Sequence, residues 1–201
     1  MLSIFICICG FLLCSVAHGF GLHGMSTFQA IVNNDMSALK DLLILDKKSL
    51  NSMEGCPPDS GQTPLMFSVL SGNFEAVKVL MDAGADPTIG EAQGYTPMHG
   101  AGFQGRAEIA ELLIHAYKLD PSDMHSDGFT PLHRACWGGE QRHTDTVRVL
   151  LEAGVHYNEY SRDGELCMDL TENEGTAKLL IEFKRRSDPL FNKVVPDLAE
   201  L

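Results

Sequence analysis

From residue 63 onward the apolar positions fall into pairs of short runs with helical spacing, and the pairs repeat. The first members are TPLMFSVLSG at 63–72, TPMHGAGFQG at 96–105 and TPLHRACWGG at 130–139. Each is followed by a second apolar run: AVKVLMDAGADP, IAELLIHAYKLDP and TVRVLLEAGVHY. The period is 33 to 35 residues. At that length each repeat is one small supersecondary unit that buries its apolar face only against its neighbours.

The grammar of the repeat has a direct physical reading. Thr63, Thr96 and Thr130 can cap a helix by accepting from an early backbone N–H, and the proline that follows each loses nothing at the first helical position. Gly72, Gly105 and Gly139, nine residues after each Thr, are expected to take the left-handed conformation that ends helix one. Glu75, Glu108 and Asp145 are expected in the first turn of helix two, where a negative charge complements the dipole. Gly84 and Gly154 stop helix two, and the polar segments ending in Gly61, Gly94, Gly128 and Gly164 have the turn chemistry of a hairpin. One unit is longer, since Gly139 and Asp145 are three residues further apart than Gly72 and Glu75. Glu140, Gln141, Arg142 and His143 are therefore expected to bulge from the interhelix turn, either as a binding element or as a tolerated insertion.

Three in-phase Thr-Pro boxes, each with its glycine and second apolar run, closely resemble the ankyrin repeat family. The resemblance implies an all-α repeat solenoid of helix-turn-helix units joined by β-hairpin loops, in a single elongated domain. It divides the chain into an N-terminal capping repeat with its loop at 26–62, full repeats at 63–95, 96–129 and 130–165, a degenerate C-terminal cap at 166–186 and a tail at 187–201. Phe28 to Leu43 reads as the N-terminal cap, with Asn34-Asp35 at its interhelix turn. In the C-terminal cap, Leu166-Cys167 replaces Thr-Pro and the second helix is expected to be cut short around Gly175. Ends that meet water are expected to depart from the consensus.

Composition agrees with a folded chain: 44% of the 201 residues are apolar and 21% charged. The formal charge of -12 disfavours phosphate backbones, so no nucleic-acid partner is expected. Leu2 to Val16 is apolar and ends in Ala17-His18-Gly19, which reads as a secretory signal peptide over 1–19, although no Lys or Arg precedes it. Secretion or an organelle lumen is the expected destination. The alternatives are an uncleaved membrane anchor, for which the run is short, and plastid targeting. Cleavage would leave Cys56, Cys136 and Cys167, which make at most one bridge of unspecified pairing.

No chemistry emerges that calls for an enzyme, a cofactor or a metal. His99 and His133 hold the fourth place of the Thr-Pro box, where the family resemblance implies a structural hydrogen-bonding role between repeats. His115, His125, His143 and His156 have no ligand-like spacing. Cys136 reads as a small buried hydrophobe, and Cys56 as the more exposed thiol. A thiol- or His-dependent enzyme is the weakest alternative. A membrane-tethered structural adaptor would require the leader to stay attached.

The resemblance also implies a concave groove lined by hairpin tips and the exposed end of helix one. By phase, Gln62, Tyr95 and Phe129 stand just before each Thr-Pro, Leu70, Phe103 and Trp137 stand seven places after each Thr, and Phe67 and Arg134 extend the set. Aromatics at solvent-facing places characterise interface anchors. These eight residues are the expected contact set for a protein partner, unless the tail's Phe191 and Val194-Val195 fill the groove. The acidic tips favour a basic partner. A monomer acting by binding alone, as a scaffold or adaptor, is the resulting expectation.

Overall fold

A computed structural model describes residues 25–53 and 61–187. The leader at 1–19, Cys56, and the tail beyond Ser187 lie outside the described residues. Those residues form ten α-helices and one 3-10 turn, with an isolated antiparallel bridge between Tyr160 and Leu166 and no named strand among them. The fold is an all-α repeat array. Contacts divide the chain into two compact units, 1–97 and 98–201.

The first unit holds α1 (Thr27–Val32), α2 (Met36–Leu45), a 3-10 turn (Lys47–Asn51), α3 (Pro64–Ser71) and α4 (Phe74–Asp82). Each helix begins where a side chain satisfies an orphan N–H. Ser26 Oγ accepts from Gln29 N at 3.1 Å, Asp35 Oδ1 from Ala38 N at 2.9 Å, Thr63 Oγ1 from Met66 N at 3.1 Å and Asn73 Oδ1 from Ala76 N at 3.0 Å. Gly72 closes α3 at φ 77°, where a side chain would be strained. Leu39, Leu65, Val69, Val77 and Leu80 are fully buried between these helices. Asn73 does double duty: its amide donates to Ile31 O at 3.3 Å and Asn34 Oδ1 at 3.2 Å, fastening the interhelix turn of the cap.

The second unit begins within α5 (Pro97–Gln104) and continues with α6 (Ala107–His115), α7 (Pro131–Cys136), α8 (Gln141–Glu152), α9 (Cys167–Leu170) and α10 (Glu174–Ser187). Helix α8 packs on α6, α7 and α10, and α9 packs on α7. Its core is Leu113, Leu132, Val147, Leu150 and Leu180. The hairpin bends repeat one pattern: His125 N donates to Phe129 O at 3.0 Å and Gly128 N to His125 O at 2.9 Å, as Ser161 N does to Glu165 O at 2.9 Å and Gly164 N to Ser161 O at 3.0 Å.

Several expectations are corrected in this unit. The residues after Gly139 do not bulge. Gln141, Arg142 and His143 wind into an added first turn of α8, which has 12 residues where α4 and α6 have 9. The physical reason is His143. Its ring fills the space above Gly138, where a Cβ would lie 2.0 Å from the ring, and Nε2 donates to Phe103 O at 3.3 Å. Asp145 consequently falls beyond the first turn and accepts from Gln141 Nε2 at 2.9 Å. Gly139 is not left-handed, because α7 already ends at Cys136 with Trp137 as its cap. In the C-terminal cap the first helix, α9, is the short one at 4 residues, while α10 runs for 14. Asp169 stands in for the missing Thr-Pro grammar by accepting from Leu166 N at 3.0 Å. Cys136 is fully buried and disulfide-bonded to Cys167, across a Cα–Cα distance of 5.6 Å that suits a bridge.

Candidate partner-binding site

In the second unit the residues flanking the Thr130 box converge. Thr130 N donates to His133 Nδ1 at 3.2 Å, and the Thr130 hydroxyl lies 2.8 Å from the same nitrogen. His133 Nε2 then donates to Glu159 O of the next hairpin at 3.2 Å. His133 is fully buried, and that burial pushes its pKa below the usual imidazole value, so the ring is a neutral strut. His99, 1% exposed, is lowered by the same cause.

On this frame stand three stacked side chains. The Phe129 and Trp137 rings are 4.9 Å apart, and the Arg134 guanidinium lies 4.4 Å from the Trp137 centroid and 5.2 Å from that of Phe129. The edge of Phe129 also meets His133 at 5.9 Å. Arg134 Nη2 donates to Asp127 Oδ2, and the other oxygen of Asp127 lies 2.8 Å from His125 Nδ1. Arg134 is 7% exposed and Trp137 is 40% exposed, so the cation lies beneath and the indole faces outward.

The expected contact residues thus separate by environment. Trp137 alone of the eight is exposed; Phe129, Phe103, Tyr95 and Leu70 are half-buried. Gln62, Phe67 and Arg134 are not solvent-facing, which corrects the expectation for them. Phe67 meets Phe28 edge-on at 5.6 Å, so the capping repeat covers it; it shows only a margin to a cleft of about 370 Å³ that Ile31, Val32 and Phe74 also line. Gln62 is buried just before Thr63. Asp127 was not among the expected residues. Its sequence signals are its place among the acidic hairpin tips and its spacing of seven from Arg134, on a different element.

His143, 6% exposed, is lowered by burial, and the Glu159 carboxyl is raised by burial and by nearby Asp120. No cluster of three metal-ligating side chains occurs among the described residues, and none of their helices is long and apolar enough to cross a membrane. What the Phe129–Arg134–Trp137 stack offers is a rigid, partly exposed aromatic surface.

A family model described as ankyrin repeats (3 copies) matches residues 27–125 and 93–161. The chain belongs to the ankyrin repeat family. It is 40% identical over 62 residues to Notch-regulated ankyrin repeat-containing protein B of Danio rerio, covering 31% of this chain and 56% of that protein. Over 125 residues it is 32% identical to ankyrin repeat domain-containing protein 46 of Rattus norvegicus, covering 61% of this chain and 52% of that one. Notch-regulated ankyrin repeat-containing protein of Xenopus laevis is 33% identical over 101 residues, which are 50% of this chain and 88% of that protein. For most of these curated relatives the chain spans about half of their length. Ankyrin repeats are protein-interaction modules, and an exposed aromatic stack is surface suited to that role.

Proposed function

We propose that this ankyrin repeat chain is a scaffold or adaptor that binds a protein, with its main contact in the second unit at Trp137 and, beside it, Phe129. The observation that carries the reading is an indole left 40% exposed while one side of it is supported by a ring and a guanidinium. Such rigid aromatic surface is the commonest anchor of protein interfaces. Phe103, Tyr95 and Leu70, which keep part of their side chains at the surface, are proposed as secondary contacts. The formal charge of -12 favours a basic partner and speeds its approach. The module works as a monomer and without catalysis.

The same reading places the chain in the secretory pathway, with residues 1–19 as leader. The Cys136–Cys167 bridge supports that route, because disulfides persist in oxidising compartments. N-terminal sequencing of the exported protein should begin at Phe20; a product that retains Met1 overturns the cleavage and favours a tether.

Binding is tested by affinity capture with the tagged full chain beside a Trp137→Ala variant of unchanged helical circular dichroism. Loss of an anchor of this kind costs about 2 kcal/mol or more, so the affinity for the captured partner should drop roughly 30-fold. Equal affinity in the two proteins would remove Trp137 from the interface.

A further inference from the structure

We propose that Asp127 is the positioning residue of the partner-binding surface, holding Trp137 in its exposed pose through Arg134. The inference rests on the reading of Trp137 as a contact residue and extends it to side chains that do not themselves form the contact.

Trp137 has little backbone to hold it. It is the C-cap of α7, a helix of 6 residues, and Gly138 and Gly139 follow at once. Its orientation is set by what its ring touches, and its neighbours are Phe129 at 4.9 Å and the Arg134 guanidinium at 4.4 Å. Arg134 is therefore the floor of the indole. A guanidinium that is 7% exposed stays there only if its charge is answered, and Asp127 Oδ2 answers it from the bend before Thr130.

Asp127 is itself held. Its Oδ1 accepts from Phe129 N at 3.2 Å and lies 2.8 Å from His125 Nδ1, and the bend is closed by Gly128 N on His125 O at 2.9 Å. One carboxylate thereby orients both supports of the indole: Phe129 through its backbone and Arg134 through its charge. Without that carboxylate the buried guanidinium loses the ion pair that holds it to the bend before Thr130. Loss of that ion pair loosens the floor under Trp137 and gives the indole more freedom to rotate. The surface would then have to be ordered at each binding event, which weakens affinity even though the bound complex keeps the same interface.

The chain has a single tryptophan, so indole fluorescence reports this site alone. In the full chain without any partner, acrylamide quenching of Trp137 should rise about twofold in Asp127→Asn, with unchanged helical circular dichroism and a red-shifted emission. Asp127→Glu, which keeps the charge, should recover part of the change. Arg134→Lys should behave like Asp127→Asn, because an ammonium lacks the planar face that a guanidinium offers to an aromatic ring. The double variant Asp127→Asn/Arg134→Met should return towards the wild-type value, since a neutral side chain fills the stack and no buried ion pair is left broken.

Quenching in Asp127→Asn equal to that of the wild type overturns the proposal, as does a double variant no better protected than the single one. If Asp127→Asn does not fold, Arg134→Lys decides by the same criterion. The two readings fail separately: Trp137→Ala that keeps full partner affinity sinks the contact assignment and leaves the quenching result standing.

Discussion

Gly102 occupies the place in its repeat that Val69 and Cys136 occupy in theirs, yet a Cβ there would lie 2.3 Å from the carbonyl oxygen of Pro131. The approach of α7 to this point of α5 is closer than any side chain permits. Gly102→Ala should therefore destabilise the fold by roughly 1–3 kcal/mol, read from urea unfolding of the two proteins. Gly84, by contrast, has open space around its missing Cβ, and only its φ of 90° opposes substitution. Repeat phase makes such places equivalent on paper, but a glycine that merely ends a helix and one that admits a neighbouring backbone look the same in the chain. His133 shows the opposite case. The family resemblance implied its structural role, and its hydrogen bonds serve the repeat: to Thr130 three residues back and to the next hairpin at Glu159.

Element by element, the boundaries follow capping chemistry where the cap is local. Thr63-Pro64 and Asn73 start α3 and α4 as their residue types require. The C-terminal cap is where the local grammar thins, since α9 has only 4 residues and no Thr-Pro. A covalent tie between Cys136 of α7 and Cys167 of α9 compensates. With a sequence separation of 31 between the two cysteines, loop-closure entropy assigns the bridge about 3–4 kcal/mol. Reduction, or the double change Cys136→Ala/Cys167→Ala, should lower the unfolding midpoint by an amount of that order, and non-reducing peptide mapping should recover one cross-linked pair carrying both residues. A wild-type chain indifferent to reductant, with both thiols free to alkylate after denaturation, would remove the tie. The extra turn of α8 is the element-scale feature that length alone misjudged: three residues add nearly one helical turn, and His143 gains a buried place only if they do.

For the molecule as a whole, acid is the condition to which stability should respond most directly. His99, His133 and His143 are each buried and held below the ordinary imidazole value, chiefly by desolvation. The unfolded chain then binds more protons than the folded one once the pH falls below about 6.5, the unfolded histidine value. Their stabilising contribution is complete above that pH and is lost as the pH falls towards the lowered folded values. The midpoint of thermal unfolding should hold between pH 8 and pH 7, as rough bounds, and drop from about 6.5 downward. His133→Gln should flatten part of that drop. A midpoint constant down to about pH 5 would contradict the neutral, buried state of these rings.

The repeating pattern carried the architecture because helix starts, turn glycines and apolar spacing act over a few residues and are written out in full wherever they act. It also carried the family and the kind of role such repeats perform. Environment was beyond its reach. Phe67 and Phe129 both read as contact residues, but Phe67 is covered by Phe28 of the capping repeat while Phe129 supports an exposed indole. Arg134 reads as a surface contact until Asp127 is brought to it across a bend and the rings of Phe129 and Trp137 close over it. The pairing of Cys136 with Cys167 was one of several open choices until α9 came to rest on α7. Burial, ion pairing and disulfide partnership depend on which surfaces of distant segments meet, and that is a property of the packed fold, not of any stretch of the chain.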